Sequence, residues 1–180
     1  MKLSTRSLII CAIFASITAI LAQISIPLPF STVPLTMQVF AVTISGIILG
    51  AKKGLISQLI YVTLGAIGMP VFAGMSGGMG MVFGYTGGFI ISFPIMALVI
   101  GYVSERSDKV YCIIISMILA LVINYSIGTL WYSFVAGVGI VQGFTVCVAP
   151  FLIADIIKIC LATTIGISVK SRIKKEVYSC

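Results

Sequence analysis

Asp155 and Lys158 stand three residues apart inside an apolar run from about Phe144 to Val169, so on a helix the carboxylate and the ammonium share a face. No other apolar run in the sequence carries an ionised side chain. A charge at bilayer depth costs about 2.5–3.5 kcal/mol per residue on insertion scales, and such residues usually face the protein interior or a wet cavity. The pair suits recognition of a small molecule. Lys158 is a partner for a ligand carboxylate, and Asp155 can accept N–H bonds or hold Lys158 charged while the site is empty. The alternative is that the two groups only pair with each other and stitch their helix into a bundle. Gln38, Tyr85, Thr86 and Asn124 are the neutral candidates for the same site, since they offer both donors and acceptors. Gln38 and Asn124 would serve equally well as glue between helices.

Other chemistries lack their residues. The chain has no histidine, the commonest general base and metal ligand. Its cysteines, Cys11, Cys112, Cys147, Cys160 and Cys180, show no C-x-x-C spacing, and four of them lie in apolar runs as small hydrophobes. No disulfide framework, zinc site or cofactor is expected, and the chain does not read as an enzyme. The glycine-rich stretch Pro70–Gly88 has neither the Gly-Lys-Ser/Thr ending of a phosphate loop nor a G-x-G-x-x-G pattern, so it gives no support to nucleotide binding.

The elements that must position the candidates are membrane helices. Sixty per cent of the residues are hydrophobic and eight per cent charged, with a mean hydropathy of +1.25. Apolar stretches approaching the length of a bilayer span recur along the chain. The pattern predicts one all-α membrane domain over residues 1–180, with six helices near 8–26, 35–50, 55–69, 87–103, 110–130 and 144–169. Lys2 and Arg6 precede the first run as they would a signal peptide, but the run is long for one and no Ala-x-Ala-like site follows. Ala12/Ser16 and Ala15/Ala19 form two small-xxx-small pairs on it, a spacing that lets another helix approach closely. Three prolines in 27–34 prevent the helix from continuing. Ala51-Lys52-Lys53-Gly54 predicts a hairpin turn, and Trp131 and Tyr132 fall where an aromatic belt is expected.

A net charge of +7 would suggest nucleic acid in a soluble protein, but here the positions of the charges explain it. Basic residues alternate by connection. Lys2 and Arg6, Lys52 and Lys53, Arg106 and Lys109, and the group Lys170, Arg172, Lys174 and Lys175 occupy one set of ends. Connections 27–34, 70–86 and 131–143 hold none. The positive-inside rule then places both termini in the cytoplasm. The three uncharged connections share the outer face, and irregular apolar backbone there is tolerated if it lines a cavity. They are expected to fold inward and roof a pocket whose wall or floor carries Asp155 and Lys158. A small, partly apolar ligand with a few polar handles fits such a site.

Five segments, in order, resemble the BioY family of biotin transporters: Pro34-Leu35-Thr36-Met37-Gln38, Gly65–Phe72, Gly84-Tyr85-Thr86-Gly87-Gly88-Phe89, Tyr125–Gly128 with Trp131, and Pro150-Phe151 followed by Asp155-Ile156-Ile157-Lys158. The resemblance spans nearly the whole chain. It implies the substrate-capture subunit of an energy-coupling factor transporter in a prokaryotic cell membrane. Such a subunit binds biotin from outside and docks on a transmembrane coupling subunit driven by two cytoplasmic ATPases. It also implies that Asp155 and Lys158 lie at the biotin site, that the glycine-rich loop helps to enclose the ligand, and that Ala15 and Ala19 face the coupling subunit. Tyr85 stands where many members have proline, and Ser92 where many have glycine. Biotin fits the residues on chemical grounds as well: Lys158 is the expected partner of its carboxylate and Asp155 of a ureido N–H.

Rival classes remain distinguishable. An intramembrane enzyme would need a nucleophile and base that the sequence does not display. A proton-coupled carrier would use Asp155 and Lys158 as a relay and answer to a proton gradient alone. A structural subunit would bind no ligand, and capture of another small vitamin is the nearest alternative within the class.

Overall fold

The computed structural model describes residues 4–29 and 31–177, with side chains described as far as Arg172. Lys2, Phe30, Cys180 and the side chains of Lys174 and Lys175 lie outside the described residues. The chain forms α1 (Thr5–Ala22), β1 (Ser25–Leu28), β2 (Ser31–Thr36), α2 (Gln38–Ala66), α3 (Met79–Val82), α4 (Gly87–Arg106), α5 (Val110–Ala136), α6 (Ile140–Cys147) and α7 (Leu152–Val177). A one-turn 3-10 helix, Ala73–Met75, lies between α2 and α3. Among the described residues α1, α2, α4, α5 and α7 are long and apolar enough to cross a membrane.

Several of these ends have a local cause. Ser4 caps α1, its hydroxyl accepting the Ser7 N–H at 3.3 Å. The all-helical expectation needs correction at 25–36, where an antiparallel ribbon pairs Ser25 with Thr36, Ile26 with Leu35 and Leu28 with Ser31. Pro27, Pro29 and Pro34 exclude helix, but a two-stranded ribbon consists only of edge strands, where a missing N–H is tolerated. Helix α5 continues to Ala136, six residues past the expected end. It stops at Gly137, whose φ of +67° supplies the left-handed cap and whose N–H reaches Ser133 O. The last expected helix is two pieces, because the chain breaks over 148–151 around Pro150.

The expected hairpin between the second and third runs turns at Gly50, before the two lysines. Gly50 has φ +80° and ψ −175°, outside helical space, within the otherwise helical span of α2. The two arms fold back on each other: Gln38 meets Tyr61, and Gln58 Nε2 donates to Ser45 Oγ at 3.0 Å. Helix α4 clamps this turn. Ser104 Oγ donates to Ile47 O at 2.9 Å, and Glu105 Oε1 accepts the Ala51 N–H at 2.9 Å. Lys170 of α7 donates to Ser104 O and to Asp108 Oδ1, the latter at 3.0 Å. Gly101 permits the approach, since a Cβ there would stand 2.3 Å from the Gly50 carbonyl carbon.

Ile47, Tyr61, Phe93, Met96, Ile100 and Met117 form the centre of the main apolar core. A second cluster of Phe89, Tyr132, Cys147 and Val148 lies towards the far end from the Gly50 turn. The aromatic pair after α5's expected end is not a free belt: Tyr132 is buried in that cluster, and Trp131 Nε1 donates to Gly84 O at 3.0 Å.

Candidate ligand-binding site

A cavity of about 150 Å³ opens at the end of the bundle opposite the Gly50 turn. A water needs roughly 10–15 Å³ on this measure, so the space admits a ligand of several heavy atoms or more. Its cover is the irregular chain: Thr32, Val33 and Pro34 from the ribbon, Phe72, Ala73 and Met81 from the glycine-rich connection, and Cys147 and Phe151 around the α6–α7 break. Phe89, Ile90 and Phe93 of α4 form an apolar wall. Polar groups come from three helices and from the residue that precedes α4: Gln38, Thr86, Asn124, Tyr125, Asp155 and Lys158.

Asp155 lies in the first turn of α7, where the helix N-terminus favours negative charge. Lys158 Nζ donates to its Oδ1 at 2.6 Å, and the Tyr125 hydroxyl of α5 donates to Oδ2. Asp155 is 2 % exposed and Lys158 6 %. The two alternatives of the sequence are thus joined, because the ion pair is closed and yet lines the void. An ammonium has three donors and each carboxylate oxygen two acceptor sites, so the closed pair still offers two donors and two acceptors.

Asn124 is fixed by its Nδ2, which donates to Phe89 O at 3.1 Å and Ser92 Oγ at 2.6 Å. Its carbonyl oxygen is the end left to the cavity. Ser92 therefore orients a lining residue from behind. Gln38 is more committed: Nε2 donates to the Tyr61 hydroxyl at 2.6 Å, and Oε1 accepts from Thr36 at 2.9 Å. Tyr61 in turn donates to Val71 O at 3.1 Å, so Gln38 holds the cover in place while its side chain borders the void. The Thr86 side chain makes no cap hydrogen bond to α4.

Two of the sequence expectations require correction. Tyr85 is about half exposed, lies outside the cavity lining and sets its ring 5.8 Å from that of Tyr132. Thr86, one residue on, lines the cavity instead. Ala15 is 2 % exposed and Ala19 packs against the core, so this pair serves the chain's own α1–α2 packing and is no free docking face. The outward pair on α1 is Ala12 and Ser16.

Sequence reasoning missed Tyr125 and the Cys147 thiol. Tyr125 directly follows Asn124 in the middle of an apolar helix, and that polar doublet was the available signal. Cys147 carried none. Burial pushes its thiol up to about 12, so at neutral pH it is an uncharged part of the wall.

A model of the BioY family matches residues 1–175. A protein of Pyrococcus horikoshii described as a probable biotin transporter BioY is 41% identical over 166 residues, covering 92% of this chain and 96% of that one. The biotin transporter BioY of Thermotoga maritima is 37% identical over 165 residues, covering 92% and 96%. In fold the chain is similar to the crystal structure of the S-component for biotin from an ECF-type ABC transporter, with a TM-score of 0.87 over 94% of this chain and 95% of that one at 24% identity.

Proposed function

We propose that this chain, which belongs to the BioY family, captures biotin at a cell membrane and passes it to a separate ATP-driven energy-coupling module. The observation that carries the reading is a closed, buried Asp155–Lys158 pair facing a cavity with an aromatic wall and a few neutral polar groups. The aromatic wall suits a thioether-bearing bicycle, and the polar floor suits its ureido group.

The closed pair also argues for an orientation different from the one expected from sequence. Lys158 is already neutralised by Asp155, so a ligand carboxylate brought to it would be buried beside a second carboxylate. A cyclic urea meets no such repulsion. Its C=O takes one of the free Lys158 donors, and its two N–H groups meet acceptors of the polar floor around Asp155 and Asn124. The ureido ring therefore enters first, and the valerate carboxylate stays near the mouth.

The arms of α2 count as two membrane passes, which gives six with both termini in the cytoplasm, as the basic residues require. The cavity then opens to the outside. Transport needs a transmembrane coupling subunit and two cytoplasmic ATPases, for the sequence has no Walker motif. The outward Ala12/Ser16 pair of α1 is the small-residue face available to that coupling subunit.

Labelled biotin should bind the purified chain and be displaced by unlabelled biotin but not by other vitamins. In proteoliposomes, uptake should require the coupling module and ATP. Displacement by a different vitamin, or uptake driven by a proton gradient without ATP, would reject the reading.

A further inference from the structure

Tyr125 lines the cavity, and its hydroxyl has one proton, which is directed at Asp155 Oδ2. The carboxylate of Asp155 accepts from Lys158 at 2.6 Å through Oδ1 and from this phenol through Oδ2, so the phenol is the donor. That commitment fixes the polarity of the group: towards the cavity the Tyr125 oxygen presents lone pairs only. The same bond ties α5 to α7 and sets the rotation of the carboxylate. Asp155 cannot turn its free lone pairs away from the void without losing either the phenol or the ammonium. Tyr125 is held in turn by packing against both apolar clusters.

We propose that Tyr125 is a further specificity-determining residue of the site, an acceptor-only hydroxyl that reads a ligand N–H and positions Asp155 for the same ring. The floor thereby becomes acceptor-rich on the α5 side, with Asn124 Oδ1 and Tyr125 Oη, and Lys158 of α7 supplies its charged donor. Such a pattern selects a ring with N–H groups flanking a carbonyl. It rejects an isostere with ring oxygen in place of N–H, because two lone pairs would then face each other across a dry cavity. The inference rests on biotin being the ligand.

The test compares biotin with the two cyclic carbamates in which one or the other ureido N–H is replaced by oxygen, using calorimetric titration of the purified full chain. The wild type should bind at least one carbamate about 10- to 100-fold more weakly than biotin. Tyr125→Phe keeps the ring and deletes the hydroxyl. It should weaken biotin by a similar factor and bind biotin and that carbamate equally, whereas a purely structural loss would weaken all three ligands alike and preserve the discrimination. Biotin binding by Tyr125→Phe within twofold of wild type, or preserved discrimination in the variant, overturns the proposal. Should the variant fail to fold, the wild type still decides: equal affinity for biotin and both carbamates overturns it. No binding of biotin by the wild type would instead overturn the functional reading itself.

Discussion

Replacing Lys158 with methionine separates what the ion pair does for the fold from what it does for the ligand. Methionine nearly keeps the volume but leaves the Asp155 carboxylate, 2 % exposed, with the Tyr125 hydroxyl as its remaining partner among the described residues. Breaking a buried pair in this way costs about 3–5 kcal/mol, because the surviving charge is uncompensated. For a chain of this size that lowers the unfolding midpoint by roughly 6–20 °C. Biotin binding loses a charge-assisted hydrogen bond of about 1.5–3 kcal/mol, which is roughly 10- to 150-fold in affinity. The single variant alone cannot distinguish a damaged fold from a damaged site. Asp155→Asn combined with Lys158→Met removes both charges. A buried ion pair exchanged for neutral groups of similar volume is often no less stable, so the midpoint should return close to wild type. Affinity should stay at least tenfold weak, because the donor to the ureido oxygen is still missing. Thermal unfolding followed by intrinsic fluorescence and calorimetric titration with biotin read the two quantities on one sample. A double variant that regains both stability and full affinity would refute the reasoning and leave the pair a scaffold.

Three further perturbations follow from the geometry. Gly50→Ala puts a Cβ at φ +80°, 2.2 Å from Glu105 Oε1, and should destabilise the chain by about 1–3 kcal/mol; an unchanged midpoint would show that the α4 clamp yields freely. Gln23 ties α1 to the cavity cover, its Nε2 donating to Phe72 O at 3.1 Å and its Oε1 accepting the Met75 N–H at 2.8 Å. Gln23→Ala should therefore speed biotin dissociation roughly fivefold or more in stopped flow, with a smaller change in association. Burial pushes the Cys147 thiol up to about 12, and the thiolate is the reactive form, so its alkylation rate should climb tenfold per pH unit from 7 to 10 without levelling and should slow when biotin is bound. A plateau near pH 8.5, the ordinary thiol range, would contradict the burial argument.

Much of the fold was legible because the bilayer imposes simple rules on sequence. Spans had to be long and apolar, and basic residues had to collect at one set of ends. The ends themselves were less legible. Gly50 rather than Lys52-Lys53-Gly54 makes the turn because Ser104 and Glu105, more than fifty residues away, satisfy the polar groups of the break. The ribbon at 25–36 is not legible in the sequence because proline argues against helix without naming its replacement. In the site, Asp155 and Lys158 announced themselves by the cost of burying charge. Tyr125 did not, since tyrosine is unremarkable in an apolar helix until its hydroxyl is seen to reach another helix. Tyr85 and Thr86 are adjacent, and only the packed structure decides which one lines the cavity.

The sequence by itself determined the apolar spans, the spacing of the basic residues between them, and the two ionised groups too expensive to submerge without a purpose. Those properties are sums or local spacings, and the chain states them residue by residue. The tertiary structure alone decided that the two groups close on each other at the edge of a void, which polar atoms are already spent, and which faces of α1 are turned inward. Hydrogen-bond capacity is used up by partners far away in sequence, so what remains for a ligand can be counted only after the helices have packed.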